Sequence, residues 1–163
     1  MALHPIPDPG VLKQADAFWQ ASQMLNTCSE SIMSVPAVVN AAFALELYLK
    51  SLNMEWQCAD PSTLNGKKAW LASRTALHTG HTPSKLYKAL HQDVRDTLEK
   101  KYQERLSENN GQTLENSLQA FDGLFQDWRY VFEGHSKTVD LASLFAVLAF
   151  FSEELNALPQ RWA

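Results

Sequence analysis

The stretch Val35-Pro36-Ala37-Val38-Val39-Asn40-Ala41-Ala42-Phe43-Ala44-Leu45-Glu46-Leu47-Tyr48-Leu49-Lys50 decides the fold. Val35, Val38, Ala42, Leu45 and Leu49, continued by Leu52, recur at spacings of three and four, which is one face of an α-helix. Val39, Phe43 and Leu47 make the other flank apolar as well. A helix with so little polar circumference belongs at the centre of a bundle. Ser34-Val35-Pro36 is a start signal, because proline fits the first turn, and the pattern predicts a helix from Val35 to about Met54.

Working outward, the same periodicity supplies the partners. Pro9 to about Asn26 reads as a helix capped by Asp8, with Leu12, Ala15, Trp19 and Ser22 on one side and Phe18 and Leu25 widening the stripe. Thr82-Pro83 opens a third helix with Leu86, Tyr87 and Leu90 inward. Gln92 to Glu108 is heavily charged and carries a narrow stripe of Val94, Leu98, Tyr102 and Leu106, ended by Asn109-Asn110-Gly111. Leu114, Leu118, Phe121, Phe125, Trp128 and Phe132 alternate spacings of four and three, a seam for a partner helix that Gly134 ends. Ser136 or Thr138 then caps a last helix. Leu141, Leu144, Leu148, Phe151, Leu155 and Leu158 share one of its faces, and Phe145, Ala149 and Phe150 crowd another. That much apolar surface calls for burial inside the bundle or for a homodimer interface.

Residues 55–82 lack this order. Asp60-Pro61-Ser62 and Asn65-Gly66 are turn chemistry, and Trp70-Leu71-Ala72 reads as a short strand or helical turn. The expected architecture is one all-α domain over residues 1–163. It is an antiparallel bundle of four to six helices, with a long loop or partly ordered insertion at 55–82 between the second and third.

Composition narrows the function classes. Of 163 residues, 14 are Lys or Arg and 18 are Asp or Glu, a net charge of -4. Broad phosphate-backbone contact usually needs a basic protein, so any nucleic-acid contact is expected to be local. Cys28 and Cys58 have neither metal-ligand spacing nor a disulfide pattern, and read as reduced thiols. No export signal is visible, and Leu141 to Phe151 is too short to cross a bilayer, so the expected setting is cytoplasmic, with no membrane partner.

Charge is uneven, however. Between Asp60 and Asp93 there is no acid, while Lys67, Lys68, Arg74, Lys85 and Lys88 fall there with His78, His81 and His91. This basic island, with Lys67, Lys68, Arg74, His81 and Lys85 as its binding candidates, is either a local anion site or a solvated surface. His78-Thr79-Gly80-His81 has no carboxylate near it in sequence, so neither a metal nor another cofactor is expected. Asn65-Gly66-Lys67-Lys68 lacks the first glycine and the hydroxyl of a phosphate-binding loop, and no nucleophile elbow occurs. Glu46 lies on the apolar face beside Ala42, Leu45 and Leu49 and must find a partner or be protonated. Lys50 is one turn on, and Arg129 is the long-range candidate. Finally, Trp128-Arg129-Tyr130-Val131-Phe132-Glu133-Gly134-His135 gathers a guanidinium, a carboxylate and an imidazole, with Arg129 and Glu133 spaced for a salt bridge.

Ala44 to Lys50, then Gly80-His81 with Lys85-Leu86-Tyr87, then Arg129 and His135, together resemble the HEPN superfamily over Val35 to Leu155. That resemblance implies a compact helical bundle, often dimeric. Some members are interaction modules or partners of nucleotidyltransferases in toxin–antitoxin and phage-defence systems, and many are metal-independent endoribonucleases. Carried over by position, Arg129 clamps the scissile phosphate and His135 is the acid/base, in a site completed by a second subunit. Two expectations follow. The first is a homodimeric module binding RNA, nucleotide, an antitoxin or a nucleotidyltransferase, with Glu46, Lys50 and Glu133 as structural ion-pair residues. The alternative is an endoribonuclease using Arg129 and His135.

Overall fold

The computed structural model describes residues 7–28, 30, 33–58, 62–64, 67–69, 72–106, 112–130 and 138–158, and of 55–76 the backbone alone. It is a helical bundle built around the second helix. Asp8 caps α1 (Pro9–Asn26) by accepting from the N–H groups of Gly10 and Val11 at 2.9 and 3.0 Å. The predicted stripe of Leu12, Ala15, Trp19 and Ser22 is its buried side. α2 (Ser34–Ser51) is buried around most of its circumference and touches α1, α3, α6 and α7. Ala15, Ala37, Ala41 and Ala44 are fully buried, and such small side chains let packed helices approach closely. Ser22 Oγ donates to the Ala37 carbonyl at 2.8 Å and pins the two helices together.

α2 ends three residues before Met54, and the chain there turns into strand. β1 (Met54–Cys58) pairs antiparallel with β4 (Ala72–Ala76), and β2 (Ser62–Leu64) with β3 (Lys67–Ala69). The residues expected to form a long loop or a partly ordered insertion thus include two strand pairs. Asn53 holds their base, its carbonyl accepting from Leu77 N–H at 2.9 Å and its side chain donating to the Leu86 carbonyl at 3.3 Å.

α3 (Pro83–Lys88) follows Thr82 and buries Leu86 and Tyr87. Its start is held by Asp122, whose two oxygens accept from Ser84 N–H at 3.0 Å and Ser84 Oγ at 2.5 Å. α4 (Gln92–Arg105) buries Val94, Leu98 and Tyr102, as its stripe predicts.

The aromatic seam differs from expectation. It is two short helices, α5 (Leu114–Gln119) and α6 (Leu124–Arg129), divided at Gly123, which adopts φ +78°. The left-handed conformation there is open to glycine at little cost. α6 ends at Arg129 with Tyr130 as its C-cap, and Phe132 and Gly134 lie outside the described residues. α7 (Leu141–Asn156) is capped by Asp140, which accepts from Ala142 and Ser143 N–H, and not by Thr138; Ser136 lies outside the described residues.

α7 buries Leu144, Val147, Leu148, Phe150, Phe151 and Leu155, and Phe145 meets Trp19 edge to face at 4.7 Å. Intrachain packing buries much of the apolar surface that raised the dimer expectation, while Leu141, Phe145, Ala149 and Leu158 are partly buried. Among the described residues, the exposed large hydrophobics are Met24, Leu77 and Tyr130. Asp16 ties α1, α2 and α7 together: Tyr48 OH donates to it at 2.6 Å, Ser152 Oγ at 3.1 Å and Asn156 Nδ2 at 3.0 Å. Burial, then this carboxylate, pushes the Tyr48 hydroxyl well above its ordinary value. No helix among the described residues is long and apolar enough to cross a membrane.

Candidate functional site

Glu46 is only 2% exposed. A carboxylate so placed loses its hydration and must be compensated by charge and hydrogen bonds. Lys50 Nζ, one helical turn on, meets Oε1 at 2.6 Å. The other oxygen, Oε2, lies 2.9 Å from Nδ1 of His81, a residue that its sequence neighbourhood places among the anion-binding candidates. Arg129, the long-range candidate for Glu46, sits elsewhere. A hydrogen bond from Nδ1 to an ionised carboxylate would place a ring proton on that nitrogen.

The chain reaches that position through Gly80, whose φ of +138° is one that L side chains rarely adopt. A Cβ there would meet nothing within 4 Å. The glycine serves the backbone path, which brings His81 back from the strands onto α2, rather than close packing.

On the other side of His81 lies Phe125 of α6, with ring centroids 5.9 Å apart. Phe43 of α2 stacks on Phe125 at 5.4 Å, and Phe18 of α1 meets Phe43 edge to face at 4.6 Å. This aromatic column fixes α6 against the bundle. The Arg129 guanidinium lies 5.2 Å from the Phe125 centroid and 4.6 Å from that of Tyr130, and Nη2 donates to Tyr130 OH at 2.7 Å. Arg129 is exposed, and so is the Tyr130 ring, at 42%. Residues far apart in sequence thus form one continuous array from Lys50 through Glu46, His81 and Phe125 to Arg129 and Tyr130. Periodicity alone places Phe125 in a helix seam; its bridging position depends on the break at Gly123, which aims α6 at α2.

Glu133 and His135 lie outside the described residues. The basic island is divided. Lys67 and Lys68 occupy β3, with Lys68 opposite Thr63, and Arg74 occupies β4 opposite Trp56. Lys85 is exposed on α3 and lines a cleft of about 130 Å³ with His78, Thr79, Gly80 and Leu86. Lys88 pairs with Glu115 at 3.0 Å, and His91 lies 3.5 Å from Asp93. Among the described residues no three His, Cys, Asp or Glu side chains gather as a metal site would require, and Cys28 is an exposed free thiol. A larger cavity of about 390 Å³ lies between α4, α5 and the start of α7 and includes Tyr102 and Ser117, whose hydroxyls are 3.0 Å apart. None of the sequence candidates lines it.

No family model, curated protein or solved structure matches the chain.

Proposed function

We propose that the chain is a HEPN-like helical interaction module that binds RNA or a nucleotide on the face formed by His81, Phe125, Arg129 and Tyr130. The observation that carries this reading is the exposed Tyr130 ring with the Arg129 guanidinium 4.6 Å from its centroid. Arginine and an exposed aromatic side by side offer a base both a stacking surface and a phosphate partner. The net charge of -4 fits such a local site rather than a broad electrostatic footprint. Lys85, exposed in the cleft beside Gly80, adds a cation next to His81, and we assign Lys67, Lys68 and Arg74 as further phosphate contacts.

The test is fluorescence anisotropy with a short labelled single-stranded RNA and, separately, a labelled nucleotide, at low salt. Arg129→Ala with Tyr130→Ala is expected to weaken binding about tenfold or more, the scale of removing one base–aromatic stack. Lys67→Ala with Lys68→Ala should flatten the salt dependence. An intact chain that binds neither ligand at low salt would sink the RNA and nucleotide reading. Capture of an antitoxin or nucleotidyltransferase by such a chain would point to the protein-partner version of the module.

The second reading is a metal-independent endoribonuclease. It is favoured by the placement of an exposed arginine and a half-exposed histidine against the same phenylalanine ring. A homodimer belongs to this reading as the assembly that would complete the site, and sedimentation of the purified chain tests it.

A further inference from the structure

We propose that the cavity between α4, α5 and the start of α7 binds a small organic ammonium ion, a primary amine carried on an apolar ring-sized body. The site shares no residue with the array from Lys50 to Tyr130 and does not depend on the RNA reading. Its volume of about 390 Å³ is within the range that small-molecule sites enclose. The floor is buried and comes from several elements: Tyr102 on α4, Ser117 on α5, Phe121 just beyond it and Val147 on α7. Phe121 and Val147 offer apolar surface against which a ring or alkyl body leaves water. The two hydroxyls of the floor have already committed their protons. Ser117 Oγ donates to the Thr113 carbonyl at 3.1 Å, so Tyr102 is the donor of the 3.0 Å bond between the hydroxyls. Neither can donate to an anion without breaking a buried bond.

Charge decides the class of ligand. Asp140, at the exposed rim, is the one charged side chain among the described residues that line the cavity. A helix N-terminus ordinarily draws anions through its unpaired N–H groups. Here Asp140 has taken them: Oδ1 accepts from Ala142 and Ser143 N–H at 3.1 and 3.2 Å, and Oδ2 accepts from Ser143 Oγ. A phosphate or carboxylate entering the cavity would therefore meet a like charge where the helix end would otherwise attract it. The same bonds hold the Asp140 carboxyl below its ordinary range, so it stays ionised at neutral pH. Each carboxylate oxygen can accept two hydrogen bonds, which leaves one position open on Oδ2. An ammonium group fills it with a charge-assisted bond, while the body it carries lies on the apolar floor.

The experiment titrates the full chain with phenethylamine and follows backbone amides in proton–nitrogen spectra. Hydrocinnamate, which carries a carboxylate on a similar body, is the comparison probe. The amine is expected to give saturable shifts at Ser117, Ala120, Ser143 and Ala146, and the carboxylate none. Asp140→Asn keeps an oxygen that can cap α7 but removes the charge, and should weaken the amine about tenfold or more, the scale of a charge-assisted hydrogen bond. Ala146→Phe, at an exposed position of the lining, should fill the cavity and abolish the shifts. If that variant does not fold by circular dichroism, Asp140→Asn and the two probes carry the test. Shifts that fail to saturate at millimolar amine, or that spread over the surface, would overturn the site. Hydrocinnamate binding as tightly as the amine, or Asp140→Asn binding the amine like the wild type, would overturn the assignment of a cation.

Discussion

At Glu46 the apolar surroundings decide everything about the side chain. Ala42, Leu45 and Leu49 are buried beside it on the same helix, so its charge persists only with partners. Removing one partner of a buried pair is costlier than removing both, because the survivor is left desolvated. Lys50→Met is therefore expected to lower the unfolding free energy by about 2 kcal/mol, reduced from the fully buried case because Lys50 is partly exposed. Denaturant melts of Lys50→Met and of Glu46→Leu/Lys50→Met compare the two situations, and equal losses would contradict a stranded carboxylate. Arg129 differs. Among the described residues it meets the half-buried Phe125 ring and the exposed Tyr130 ring and hydroxyl. Arg129→Ala is expected to cost less than about 1 kcal/mol, the scale of an exposed cation–π contact. A large drop in melting temperature would show that the guanidinium holds the fold together rather than facing a ligand.

Elements are legible where one physical signal dominates. The stripe Leu12, Ala15, Trp19, Ser22 is the buried side of α1 because a long amphipathic helix has only one way to lie on a bundle. The seam from Leu114 is less so: its spacing is continuous, yet Gly123 takes φ +78° and breaks it into α5 and α6. Periodicity reports which residues are buried and is blind to a backbone reversal between them. The strands escape the sequence pattern for a different reason. The two-residue spacing between paired Leu64 and Lys67 falls on Asn65-Gly66, the dipeptide that favours short hairpin loops, but the flanking residues show no alternation to announce a buried face. Of the site, Glu46 and Lys50 are readable from their spacing on one helix; His81 as the partner of Glu46 is not, since only tertiary folding joins positions 35 residues apart. Gly123→Ala should destabilise by about 1 kcal/mol through its backbone conformation; an unchanged denaturant midpoint would mean the α5–α6 break relaxes freely. The cap of α7 is sensitive to pH. Hydrogen bonds from the Ser143 side chain and backbone hold the Asp140 carboxyl below its ordinary 3.8. A depressed carboxyl stabilises the fold above its unfolded value, and that contribution is lost as pH falls through the folded one. Thermal melts below about pH 4 should therefore separate wild type from Asp140→Ala less than melts at about pH 7 do.

On the scale of the whole molecule, the helices and the strands form two regimes of packing. α2 gathers α1, α3, α6 and α7 around itself, and α4 is laced to α7 by the pairs Lys101–Glu154 and Arg105–Glu153. The strands pair chiefly with each other: β1 with β4, and β2 with β3. Their base is narrow, since Met54 and Ala76 are direct partners and Asn53 closes it by bonding Leu77 and Leu86. An excursion that leaves and re-enters at adjacent points can be shortened with little change in loop-closure entropy, because that cost grows only slowly with length. Replacing residues 55–75 by two glycines is thus expected to keep a cooperative melt close to that of the intact chain. The same deletion removes Lys67, Lys68 and Arg74 while sparing the array from Lys50 to Tyr130. If those cations extend the ligand path, the shortened chain should bind RNA with a shallower dependence on salt, by about 0.7 in the logarithmic slope for each single-strand phosphate that is no longer neutralised. Its response to Arg129→Ala should be unchanged. A deletion that abolished folding would instead place the strands within the cooperative core, and one that left the salt slope intact would confine recognition to the helical face.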